Sequence, residues 1–227
     1  WSEPDSGASW LLLRRVEGPV LFESGALADW EATARFAAEL HATLADVART
    51  AEAPLLEVGP TSLAEWAERA VRFARAGEAP GEELDALDRV ARACEPVGAD
   101  LAAQPRTVVH GELYPSNVLL DRAGDPPRAV AIDWEMAARG PGLVDLAALT
   151  SGDLPAGWRR AIAAAYRAEA ERRGYAAWTG DFARALGCCR LYLAVRHLGW
   201  APRSWEPPAA HRRDWLAVAG DLARELS

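Results

Sequence analysis

The chain has 227 residues, 33 acidic against 25 basic, a formal net charge of −8, and every basic residue is Arg. That balance excludes a general nucleic-acid binder, which needs a basic footprint. A hydrophobic content of 50% excludes a disordered chain, and no apolar run reaches the ~18 residues of a membrane-crossing helix, so neither a nucleic-acid nor a membrane partner is expected.

The length fits one large domain or two small ones. Three Cys, two of them adjacent (Cys188 and Cys189), do not make a disulfide framework and fit a reducing, cytoplasmic setting. The chain begins at Trp1 and its single Met is Met136, so a piece of a longer protein is expected.

In chain order, Trp10 to Val16 predicts a buried strand that ends at the turn Glu17-Gly18-Pro19. A helix follows over 27–49, with Trp30, Ala34, Ala37, His41 and Leu44 on one apolar face, where His41 reads as packing. Thr61-Ser62 reads as the N-cap of a helix running to residue 75, and another helix covers 82–102. Three short β-branched runs come next, 106–110, 117–121 and 128–133, the last two joined by a turn as a hairpin. Gly140-Pro141-Gly142 reads as a turn. Helices are expected near 143–150, 155–173, 179–200 and 208–226, with a loop over 203–208. In the third of these, Phe182, Leu186, Cys189 and Leu193 form an apolar stripe. The fold class is α+β, predominantly helical, with a small central β insert.

Residues suited to chemistry concentrate between 110 and 145. His110, Asn117 and Asp133 fall at strand ends beside loops, where side chains converge and stay accessible. A carboxylate (Asp133) and an amide oxygen (Asn117) are hard ligands that suit Mg²⁺, which keeps most of its waters. Glu112 is placed to take a proton from a hydroxyl. His110-Gly-Glu112 also fits half of a zinc-deaminase signature, but the Pro-Cys-x-x-Cys half is missing. A Gly-x-Ser-x-Gly elbow is absent as well. Cys188 and Cys189 read as core, as do the Trp residues of the C-terminal third.

His-Gly-x-x-x-x-x-Asn, then Ile-Asp-Trp-Glu and Gly-Pro-Gly-x-x-Asp-Leu-Ala, resembles the aminoglycoside phosphotransferase and choline kinase family, with its protein-kinase-like fold. Leu11 to Gly18 is similar to that family's last N-lobe strand and hinge, and Ala38-Glu39-Leu40-His41-Ala42 to its first C-lobe helix. The resemblance implies a kinase-like C-lobe over 19–227 and a remnant of the N-lobe over 1–18, the N-lobe being largely absent. It implies an ATP- and Mg²⁺-dependent transfer of the γ-phosphate to a hydroxyl of a small molecule, such as an aminoglycoside or another natural product. Asn117 and Asp133 would hold the metal on the ATP phosphates. Glu112 would be the base, His110 would brace its loop, and Asp145 would bond that loop from the following helix. The backbone of Arg14, Arg15 and Val16 would meet the adenine. The acidic balance would steer a cationic acceptor. Two departures stand out: Glu112 occupies the position of the family's Asp, about 1.5 Å longer, and no Lys exists to clamp phosphate. They motivate the alternative, a catalytically silent kinase-like binding or regulatory domain.

Overall fold

The computed structural model describes residues 13–50, 55–123, 127–202 and 210–227, with side chains from 214 onward in the last span. Among these residues the chain is mostly helical with two small sheets. The order is α1 (Leu27–Thr50), β1 (Leu56–Glu57), α2 (Pro60–Ala76), α3 (Gly81–Ala102), β2 (Arg106–Val109), β3 (Val118–Asp121), β4 (Arg128–Ala131), β5 (Ala138–Pro141), α4 (Leu143–Leu149), α5 (Ala156–Arg172), α6 (Phe182–Gly199) and α7 (Ala210–Leu226). None of these helices is long and apolar enough to cross a membrane.

On the expected apolar face of α1, Trp30, Ala34, Ala37 and His41 are buried and Leu44 is half-buried. The start of α2 differs from expectation. Gly59 is the N-cap and Pro60 the first helical residue, a position where the missing N–H is harmless. Ser62 supplies the other half of the cap, its Oγ accepting from Gly59 N at 3.1 Å. In α6 the expected stripe is only part of the buried surface. Nearly every residue from Ala185 to Gly199 is buried, because α2, α3, α4 and α7 all pack around it. Each fully buried Leu or Val there, such as Leu191 or Val195, contributes about 1.5–3 kcal/mol of apolar burial.

Segment 140–142 is not a simple turn: Ala138–Pro141 is the central strand of a sheet ordered β1-β5-β2. It runs parallel to β1 (Leu56↔Ala138) and antiparallel to β2 (Val109↔Ala138). Glu57 ties the three strands together through ion pairs with Arg106 and Arg139. The expected hairpin is present as the separate two-stranded sheet β3–β4, with Val118 opposite Ala131.

The described part of the expected N-terminal strand is not one. Residues 13–17 form no strand, and Leu13 is 70% exposed. Among the described residues, the first pairing comes later, at the bridge Val20↔Leu119 and the bond from Leu120 N to Pro19 O, 3.0 Å. Trp10 to Leu12 and the expected loop at 203–208 lie outside the described residues.

Candidate active site

β2 delivers His110 to the point where three structural units meet. Its imidazole is buried. Nε2–H donates to Ile132 O at 2.8 Å, and Nδ1 accepts from Glu112 N at 3.2 Å. The ring lies against Trp134, centroids 4.6 Å apart. These partners settle the tautomer and tie the loop after β2 to the end of β4. His110 therefore braces the loop and presents no free nitrogen to a substrate.

The next residue, Gly111, has φ +83°. A Cβ there would come within 2.1 Å of Met136 O, so only glycine fits the turn. Asp145, fully buried at the start of α4, completes the anchor. Its Oδ2 accepts from His110 N at 2.8 Å and its Oδ1 from Gly111 N at 2.9 Å. The same Oδ2 accepts from His41 Nε2 at 2.9 Å, and His41 Nδ1 meets the Tyr166 hydroxyl at 2.9 Å. His41 is thus more than packing: it links α1, α4 and α5 beneath the loop. Thr107 adds a second tie, its hydroxyl donating to His41 O at 2.8 Å.

The loop carries Glu112 and Asn117. Asn117 Nδ2 donates to Glu112 O at 3.0 Å, and among the described residues nothing donates to its Oδ1. Ile132 N donates to Asn117 O at 2.9 Å, one step beyond the β3–β4 ladder. Asp133 is therefore the second residue past β4, directly after the Ile132 that pairs with Asn117. It is exposed, has no ion pair or hydrogen bond among the described residues, and sits at φ +65°. A left-handed non-glycine costs about 1–3 kcal/mol and tends to persist where function requires it. Two unengaged hard oxygens on adjacent strand ends suit Mg²⁺ and its retained waters. No group of three or more His, Cys, Asp or Glu able to hold a metal occurs among the described residues.

Glu112 reaches α6. Its Oε1 lies 3.2 Å from Arg196 Nη2, with side-chain exposures of 19% and 3%. Arg196 also donates to the Tyr114 hydroxyl at 3.3 Å. That hydroxyl lies 2.8 Å from His197 Nε2, and the His197 ring stacks on Trp215 at 4.1 Å. Burial first, then Arg196, pushes His197 down to about 4. Burial likewise raises the Tyr114 hydroxyl. Arg196 also lines a cavity of about 290 Å³ whose walls include Trp66, Tyr192 and Met136. Glu112, Asn117 and Asp133 are not among its walls, and a larger cavity of 690 Å³ between α2 and α3 contains none of the site residues.

The matched family model covers residues 2–179 and describes a phosphotransferase enzyme family. The chain belongs to the phosphotransferase enzyme family. Among solved structures it is similar to a choline kinase from Streptococcus pneumoniae, 13% identical, TM-score 0.63, covering 93% of this chain and 69% of that one. It is also similar to a choline kinase from Cryptosporidium parvum Iowa II, 13% identical, TM-score 0.51, covering 94% and 68%. A third is a spectinomycin phosphotransferase in complex with ADP and spectinomycin, 14% identical, TM-score 0.52, covering 93% and 69%. At such identities the likeness establishes the fold. No curated protein sequence matches the chain.

The other expected positions of this phosphotransferase-family chain are more peripheral. Arg14 pairs with Asp121 at 2.9 Å; the Ala123 N–H first, then Arg14, holds the Asp121 carboxyl below its usual range. Arg15 pairs with Glu17 at 3.8 Å, both exposed, and Val16 is half-buried. Cys94, Cys188 and Cys189 are free and buried, and burial raises the thiols of Cys94 and Cys188 to about 11, as core cysteines behave. Arg196 was not singled out from sequence. The apolar spacing Phe182, Leu186, Cys189, Leu193 runs on to position 196, and a lone charge continuing a buried stripe was the available signal.

Proposed function

We propose that this chain carries the site of an ATP- and Mg²⁺-dependent phosphotransferase that moves the γ-phosphate to a hydroxyl of a small molecule. What supports the reading is the pair Asn117 Oδ1 and Asp133, two unengaged oxygens at neighbouring strand ends beside a loop anchored at both Asp145 oxygens. Asn117 and Asp133 would hold Mg²⁺, whose charge offsets that of the phosphates when it is bound. The backbone of Arg14, Arg15 and Val16 would face the adenine. Residues 1–18 would be the end of an N-lobe, and 19–227 the C-lobe.

Glu112 orients the acceptor hydroxyl and takes its proton as the oxygen bonds to the γ-phosphorus and ADP leaves. His110 holds the loop to Ile132, and Asp145 keeps the two backbone N–H groups of the loop from drifting. Such fixed positioning supplies most of the catalysis when little covalent chemistry is required of the protein. The acceptor would enter the 290 Å³ cavity walled by Arg196. The net charge of −8 favours a cationic alcohol, and choline, ethanolamine and spectinomycin are the first acceptors to assay.

The test is calorimetric titration of ATP with and without Mg²⁺, followed by an ADP-release assay on that panel. Mg²⁺-dependent binding with turnover, both lost in Asp133→Asn, supports the reading, and full activity in Asp133→Asn overturns it. Mg²⁺-dependent binding with no turnover on any alcohol selects the second reading, a silent nucleotide-binding module, in which the Arg196–Glu112 pair sequesters the carboxylate.

A further inference from the structure

We propose that Arg196 of α6 is the positioning residue for Glu112, and that it is what allows a glutamate to serve in this loop. The inference rests on the phosphotransfer reading above. A glutamate has one more rotatable bond than an aspartate, and its carboxylate reaches about 1.5 Å farther from the backbone. Left free, it would sample several rotamers, and a displacement of roughly 1 Å from the attacking hydroxyl can cost on the order of 10²-fold in rate. The loop backbone cannot absorb the extra length, because Asp145 binds His110 N and Gly111 N and Asn117 binds Glu112 O. The adjustment must come from the side chain.

Arg196 meets that need. It is 3% exposed and lies 3.2 Å from Glu112 Oε1. Its guanidinium is itself held, since the same Nη2 reaches the Tyr114 hydroxyl at 3.3 Å and its helix is buried on nearly all sides. A buried arginine on a rigid helix is a fixed point rather than a solvated arm. With Oε1 so occupied, Oε2 has no partner among the described residues and is the oxygen left for the acceptor hydroxyl. Arg196 also forms part of the wall of the 290 Å³ cavity, so the clamp and the acceptor's place share one side chain. A buried guanidinium is costly to retain without a charge partner, and Glu112 is the only carboxylate that pairs with it among the described residues.

The experiment is a double-variant cycle in the ADP-release assay, using the acceptor from the choline, ethanolamine and spectinomycin panel that the unmodified chain turns over. Arg196→Met, Glu112→Gln and the double variant are compared, with Arg196→Lys as the conservative substitution and thermal melting as the folding control. Arg196→Met is expected to lower kcat by about 10²-fold while the KM for ATP is unchanged, and Arg196→Lys to recover part of the loss. In the Glu112→Gln background, Arg196→Met should cost nothing further, because one function has already been removed. Losses that multiply in the double variant, or a KM for ATP that rises as kcat falls, overturn the proposal while leaving the phosphotransfer reading intact. If Arg196→Met does not fold, Arg196→Lys decides: wild-type kcat in that folded variant overturns the proposal. Absence of turnover by the unmodified chain on every acceptor rejects the phosphotransfer reading, and the positioning role falls with it.

Discussion

Asp145 accepts the backbone N–H of His110 at 2.8 Å across 35 residues of sequence. Its other oxygen takes Gly111 N, and His41 completes the set. One fully buried carboxylate thereby satisfies two loop N–H groups and an imidazole N–H, groups that would otherwise be orphaned in the core. Asp145→Asn would turn an amide N–H₂ against one of those donors. It is expected to lower stability by about 3 kcal/mol, a fall in Tm of roughly 10 °C for a chain of this size, measured by thermal melting.

Gly142, at the N-cap of α4, makes the same network possible. A Cβ there would lie 2.7 Å from His41 Nδ1 and 2.8 Å from the Tyr166 hydroxyl, and both side chains are fully buried with no room to move. Gly142→Ala is expected to cost about 1–3 kcal/mol through overpacking, visible as a lower urea midpoint with an unchanged m-value. Its φ of −57° suits any residue, so backbone strain would not explain the loss.

Asp133 separates stability from function in the proposed site. Its carboxylate makes no hydrogen bond or ion pair among the described residues, and Asn tolerates its left-handed backbone as well as Asp does. Asp133→Asn is expected to leave Tm within about 2 °C while removing Mg²⁺-dependent ATP binding, read by calorimetry alongside melting.

His197 sets a pH window for folding. Burial and Arg196 hold it down to about 4, against an ordinary histidine near 6.5. Between those values the unfolded chain binds a proton that the folded chain refuses, so stability falls as pH drops from about 6.5 to about 4. The loss reaches about 3 kcal/mol at ~1.4 kcal/mol per pH unit. In His197→Gln, which retains an acceptor for the Tyr114 hydroxyl, that part of the pH dependence should vanish from urea unfolding measured between pH 4 and 7.

Glu112→Asp is expected to lower turnover rather than improve it, even though aspartate is the residue this position resembles in the family. The shorter side chain would draw away from Arg196, which a helix buried on nearly all sides holds in place. A loss of 10- to 100-fold in kcat is expected in the ADP-release assay.

Much of this molecule was legible in its linear pattern. The period of Trp30, Ala34, Ala37 and His41 specified a helix and its inner face, because helical geometry places residues three and four apart on one side. The β3–β4 hairpin and the positions of Asn117 and Asp133 at its ends followed from two β-branched runs flanking a turn. Other features depended on partners distant in sequence. Gly140-Pro141-Gly142 reads as a turn because Gly and Pro make it up, yet β1 and β2 on either side make Ala138–Pro141 a strand. His41 reads as packing until Asp145 and Tyr166, more than 100 residues away, supply its hydrogen bonds. Arg196 lies 84 residues from Glu112, and no local period reveals that a buried helix and a loop will set them 3.2 Å apart. The sequence by itself determined most of the helices, the hairpin and the loop on which the proposed site residues sit, since short-range geometry and residue type carry those. Only the tertiary structure decided which buried charges meet and which way Glu112 turns, because a charge removed from water takes its partner from whatever the packing brings beside it.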